Sequence, residues 1–217
     1  SAELIYLRGS LLETFGRKKE ALENYREIEA IIDAGKYRKN ARALVAIGKI
    51  LDRYAILFGR KASDQAPNIL HNYFQEAYLK VSPGYWPANV AAAVLLLEKH
   101  NILAGVSELK LASKQNAKIP DVYAGLGLAD LQSWKFAKCL ANANKALRIN
   151  PHHDMSLYLK AVCYMQWRKF SRVPPLLKKI LKTNPNHIEA LSLLAAVHIR
   201  MFDSDQAEPF IERVGKI

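Results

Sequence analysis

Cysteine is nearly missing from this sequence: Cys139 and Cys163 are the only two in 217 residues. Two thiols cannot build a disulfide framework or a metal cluster. Both read as inert core side chains, which leaves the redox compartment open. No run of about 18 uncharged apolar residues occurs, so no helix is expected to span a membrane. A basic-then-apolar leader is also missing; Ser1-Ala2 looks like a cleavage scar, and the expectation is a piece of a longer protein. H-E-x-x-H, the P-loop and G-x-S-x-G are all absent. His152-His153 adjoins Pro151 and reads as a solvated pair without a third ligand. His198 reads as a hydrogen-bonded core histidine, and His71, His100 and His187 are scattered. The carboxylates spread over helix faces, with no pair in an apolar setting to tune a general acid. No catalytic residue, metal or cofactor is therefore expected.

What the sequence does have is a period. The content is 50% hydrophobic and 24% charged, that of a globular chain. Laid on each other, Asn150-Pro151 falls on Asn184-Pro185, Leu147 on Leu181, and Phe136 on Phe170, all 34 residues apart. A repeat of that length is one helix–turn–helix unit. Tyr123-x2-Leu126-Gly127-x2-Asp130, Cys139-x3-Ala143 and Pro151 follow in one register. Gly127 allows two helices to approach closely, and the proline stops the second helix.

These residues resemble the tetratricopeptide-repeat (TPR) family. The resemblance implies an all-α fold, a right-handed superhelical solenoid of about six TPR-like repeats in a single domain spanning 1–217. The units are expected at 4–34, 40–83, 86–117, 120–151, 154–185 and 188–217. The first helix of the second unit reads as overlong, running through Leu57, and a polar inserted loop is expected near 59–67, before a second helix at about 67–81. Pro174-Pro175 fit the first turn of a helix capped by Ser171. The chain stops at Ile217 without a polar capping helix, a second reason to expect a fragment. The stretch N-P-N-H-I-E-A-L-S-L-L-A-A-V-H is also similar to TPR arrays that precede bacterial metallopeptidase-like domains.

In that family the first helices line a concave groove where partner segments bind. The resemblance therefore implies a non-catalytic scaffold holding a peptide or helix. The groove would be formed by Val90, Val94, Leu97, Leu128, Leu131, Met155, Tyr158, Val162 and Met165. Such an apolar surface marks an interaction site, for another protein, for missing parts of the same protein, or for a second copy. The Lys, Asn and Arg clamp of co-chaperone TPR domains is not there. A second feature is electrostatic. Between Lys135 and Lys182 eleven cations face one acid, Asp154, in a chain of net charge +12. The basic face takes in Lys138, Lys145, Arg148, Arg168, Lys169, Arg172, Lys178, Lys179 and Lys182, with Trp134 and Trp167 in adjoining turns. Such a stripe can hold nucleic acid or another acidic partner, or remain a solvated face. Finally, Asp130 and Lys160 replace two signature residues of successive units. Opposite charges there can pair, or Lys160 snorkels to the edge while Asp130 finds a solvent or backbone partner.

Overall fold

The structure, a computed structural model, describes residues 1–59 and 62–217, and every regular element among them is helical. The chain divides into two compact units, Ser1–Ala117 and Lys118–Ile217. The first holds α1 (Ala2–Thr14), α2 (Lys18–Arg26), α3 (Ile28–Asp33), α4 (Ala41–Leu57), α5 (Ala62–Ile69), α6 (Trp86–Glu98) and α7 (Ile102–Gln115). The second holds α8 (Pro120–Gln132), α9 (Phe136–Ile149), α10 (Asp154–Gln166), α11 (Pro174–Thr183), α12 (Ile188–Arg200) and α13 (Ser204–Gly215). The all-α helical-repeat class expected from the period is the one observed.

The period is written into the backbone at two kinds of turn. Within a hairpin, the first helix ends in a residue of left-handed conformation: His100, Trp134, Arg168 and Phe202, each with φ near 58° and spaced 34 residues apart. Each closes a Schellman motif, with two backbone donors folding back on the last turn. Trp134 N–H donates to Leu131 O at 2.9 Å and Lys135 N–H to Asp130 O at 2.8 Å; Phe202 and Asp203 repeat the pattern on Ile199 and His198. In the first hairpin Gly16, with φ 74°, does the same work. Between hairpins, Asn116, Asn150 and Asn184 end the second helices in extended backbone. The Asn150 and Asn184 side chains then accept from the N–H groups of His152 and Asn186. Two further residues start the next helix: His153 and His187 each accept, through Nδ1, a backbone N–H three residues on. His153 is thus a helix cap rather than a freely solvated side chain.

Two local expectations are corrected. The polar stretch 59–67 is not simply a loop, because α5 already starts at Ala62 and carries Pro67 inside it; residues 60 and 61 lie outside the described ones. Polar residues suit a helix with a solvated face as well as they suit a loop, so composition could not separate the two. Pro67 has no N–H to donate to the preceding turn. Wider, π-type turns follow directly at Leu70–Gln75 and Ala77–Val81. The second helix of the first hairpin breaks at Glu27 into α2 and α3. And α11 starts at Pro174, not near Ser171: Phe170–Arg172 form a short 3₁₀ turn, Val173 is the capping residue, and both prolines occupy the first turn, where no N–H is needed.

Packing follows from the same pattern. In the first unit Tyr25, Leu44, Ile47, Ile50 and Phe74 are buried in one core. In the second unit α10, α11 and α12 close over Leu157, Leu177, Ile180 and Leu194. Another cluster joins Cys139, Ala143, Leu159 and Cys163 between α9 and α10. Burying each such aliphatic side chain contributes roughly 1.5–3 kcal/mol. Gly127 is needed for closeness: a Cβ there would stand 3.1 Å from Leu159 Cδ1 and 3.4 Å from Cys139 O.

Candidate interaction surfaces

The nine apolar residues expected to line a groove divide by burial. Val94 and Met155 are 47% and 44% exposed. Val90, Leu128, Leu131, Tyr158, Val162 and Met165 are half-buried. Leu97 is fully buried. It faces Gly105 across its own hairpin, where helix approach leaves no room for a partner, so it is withdrawn from the surface. Leu128 and Leu131 lean on the Cys139–Leu159 cluster, and Tyr158 and Met165 lean on the α10–α12 core. The Tyr158 ring stacks on His187 at 6.5 Å, and burial pushes its phenol up.

The nine basic residues are all exposed. Among the described residues none of them pairs with a carboxylate. Several instead lie on rings: the Lys145 ammonium is 5.8 Å from the Tyr123 ring centre, Lys169 is 5.5 Å from Trp167, and the Arg172 guanidinium is 5.6 Å from Tyr164. Cations held over ring faces keep their charge without needing an acid.

Asp130 and Lys160 do not pair. Asp130 Oδ2 accepts from Asn142 Nδ2 at 2.8 Å, and Lys160 Nζ donates to Asn144 Oδ1 at 2.9 Å. Both half-buried charges are satisfied by amides of α9, which lies between their helices. Cys139 and Cys163 are free and buried, as expected; the Cys163 thiol donates to Phe136 O at 3.5 Å. His198 differs from expectation, since its buried Nδ1 has no hydrogen-bond partner and stands 3.7 Å from the Asp203 carboxylate.

Two features of the first unit were invisible in the sequence. One is a charged cluster shared by α1, α4 and α6. Arg53 forks onto both oxygens of Glu13, and the Tyr25 hydroxyl donates to Glu13 Oε1 at 2.7 Å. Beside them, the Asp52 and Glu98 carboxylates lie close enough to repel each other, and Lys99 lies 3.9 Å from Asp52. Crowding out of water pushes Glu98 up to about 7 despite an exposed edge, and the Asp52 charge adds to it, while Lys99 and Arg53 oppose it. Burial raises Asp52 as well. The two carboxylates are crowded together, but with Arg53 and Lys99 beside them and Glu98 exposed this is not the apolar setting that would tune a general acid. The other feature is a polar cavity of about 440 Å³, lined by Tyr37, Arg38, Leu44, Asn72, Tyr73, Glu76 and Lys80. Its walls come from the short turn Lys36–Lys39, the start of α4 and the π-type turns after α5. Among the described residues no three His, Cys, Asp or Glu side chains gather to hold a metal ion, and no helix is long and apolar enough to cross a membrane.

Compared with protein-family models and with curated proteins, the sequence matches none. Solved structures do match. A tetratricopeptide repeat protein from Parabacteroides merdae superimposes with a TM-score of 0.63 at 14% identity, over 99% of this chain and 78% of its own. The chain has the tetratricopeptide-repeat fold. PilF of Pseudomonas aeruginosa aligns over 96% of this chain and 88% of its own (TM-score 0.59, 18% identity). YrrB, described as a TPR protein with an unusual peptide-binding site, aligns over 87% and 89% (TM-score 0.50, 11% identity). The narrower likeness to arrays before metallopeptidase-like domains is not shown by these matches.

In TPR terms α1, α4, α6, α8, α10 and α12 are first helices, and they place the site residues. The charged cluster falls on three of them at positions 13, 52–53 and 98. Only packing of successive first helices brings these together. No spacing in the sequence signals it, whereas the His153 and His187 caps carry a signal, the repeated N-P-x-H.

Proposed function

We propose that the chain is a non-catalytic protein-interaction scaffold that takes a peptide or helix against the apolar faces of its first helices. The observation that carries this reading is that these helices keep large apolar side chains in solvent after their hairpins have packed. Leu4, Leu7 and Leu11 of α1 are each more than half exposed and lie on one helix face; Val94, Met155 and Ile199 continue the theme on α6, α10 and α12. The methionine adds an adaptable contact. The peptide-binding site that YrrB is described as having, on the same fold, also supports it.

The test is selection of peptides from a displayed random library. Peptides with apolar residues at helical or alternating spacing are expected, their binding persisting at high salt and lost on Val94→Glu or Met155→Glu. A chain that enriches no peptide, or whose peptides ignore both substitutions, is not this scaffold. A second reading, a platform for nucleic acid or another polyanion, is favoured by the nine exposed cations that lack carboxylate partners. It requires affinity that falls steeply with added salt.

A further inference from the structure

The three hairpin turns of the second unit carry side chains that the fold does not use. At the left-handed position of a Schellman motif the unstrained residue is glycine, and the first hairpin has Gly16 there. The second unit has Trp134, Arg168 and Phe202, and bulky side chains at positive φ are uncommon. Packing does not explain them: Trp134 is 76% exposed and Phe202 is 97% exposed. Backbone strain retained without a packing return points to a role at the surface.

Because α8 and α12 both pack on α10, the three turns lie side by side along one edge of the unit. Trp167, next to Arg168, is 38% exposed, and Met201, next to Phe202, is 47% exposed. Lys135, Arg168, Lys169 and Arg172 stand exposed among them with no ion-paired carboxylate. The acids at these turns are Asp203, which caps α13 by accepting from Gln206 N–H, and Asp205 in the first turn of that helix, against four cations. We propose that this turn edge docks on an anionic membrane surface. Trp134, Trp167 and Phe202 enter the headgroup layer, and the four cations meet lipid phosphates. Aromatic rings favour that layer, and basic side chains beside them add attraction to anionic lipid.

A lipid surface fits better than nucleic acid. One face of the Trp167 ring is already covered by the Lys169 ammonium, and the Trp134 ring meets Phe136 edge-on at 6.0 Å. Met201, next to Phe202 in the chain, and Ile199, three residues before it, are exposed as well, and such side chains bury in hydrocarbon but offer no face to a base.

The test is flotation of the intact chain with vesicles of phosphatidylglycerol and phosphatidylcholine, with phosphatidylcholine vesicles and a single-stranded oligonucleotide as comparisons. Expected are flotation with the anionic vesicles, a blue shift of tryptophan emission, and weaker binding by about tenfold for Trp134→Ser and for Phe202→Ser. Circular dichroism should show both variants folded, since neither side chain is buried. No flotation overturns the proposal. So does flotation indifferent to both substitutions, which is mere adsorption of a basic protein. Preference for the oligonucleotide, or a dimer that shields Trp134, overturns it as well by naming another occupant.

Discussion

The ring of Tyr25 fills the space that a side chain on Gly9 would need. Tyr25 is fully buried on α2, and its hydroxyl is fixed on Glu13 at 2.7 Å, so the ring cannot swing aside. Gly9→Ala is therefore expected to destabilise the protein by about 1–3 kcal/mol, the usual cost of overpacking. Gly48 meets Phe74 in the same way in the next hairpin. Chemical denaturation is the measurement. A Gly9→Ala protein as stable as the wild type would mean that α1 and α2 pack less closely than described.

Glu98 makes stability depend on pH with a definite sign. Its folded-state pKa is raised, so between the ordinary carboxyl range and about 7 the folded chain holds a proton that the unfolded chain releases. The stabilisation is fully present below pH 4.5 or so and is lost as pH rises through about 7. Wild-type melting temperature should fall between pH 5 and pH 8 more than that of Glu98→Gln, which has no proton to lose at this position. Parallel pH profiles for the two proteins would count against the Asp52–Glu98 pair.

The left-handed residues predict an unusual gain. Arg168→Gly removes the steric cost of φ 57° and is expected to stabilise by about 1 kcal/mol. Arg168→Val, branched at Cβ, should destabilise by a similar amount. Thermal melts of the two variants settle the order, and a Gly variant less stable than the Val variant would contradict the turn geometry.

Asp130 and Lys160 bond to different asparagines, Asn142 and Asn144. A double-mutant cycle between Asp130→Ala and Lys160→Met should then give a coupling energy below about 0.5 kcal/mol. A coupling of 2 kcal/mol or so would restore the direct ion pair that the sequence suggested.

The sequence by itself determined the repeat. Its period needs only local chemistry: apolar residues at helical spacing, an asparagine that ends one helix, and a histidine that caps the next. The apolar spacing and the overlong α4 are legible as text. The asparagine and histidine caps act just as locally, yet His153 beside Pro151 read as solvated, because a cap shows itself only once the start of the next helix is placed. The departures were also local, but they balance competing preferences. Pro67 inside α5 and the 3₁₀ turn before Pro174 depend on which backbone groups find partners, and composition does not tell this. Tertiary structure alone decided the surfaces. Glu13, Arg53 and Glu98 are far apart along the chain and gather only because first helices stack. Leu97 was placed in the groove by register, yet it is buried, because Gly105 draws α7 against it. A helix face can be assigned from spacing, but whether that face meets water depends on how closely its neighbour approaches, and that distance is set by side chains many turns away.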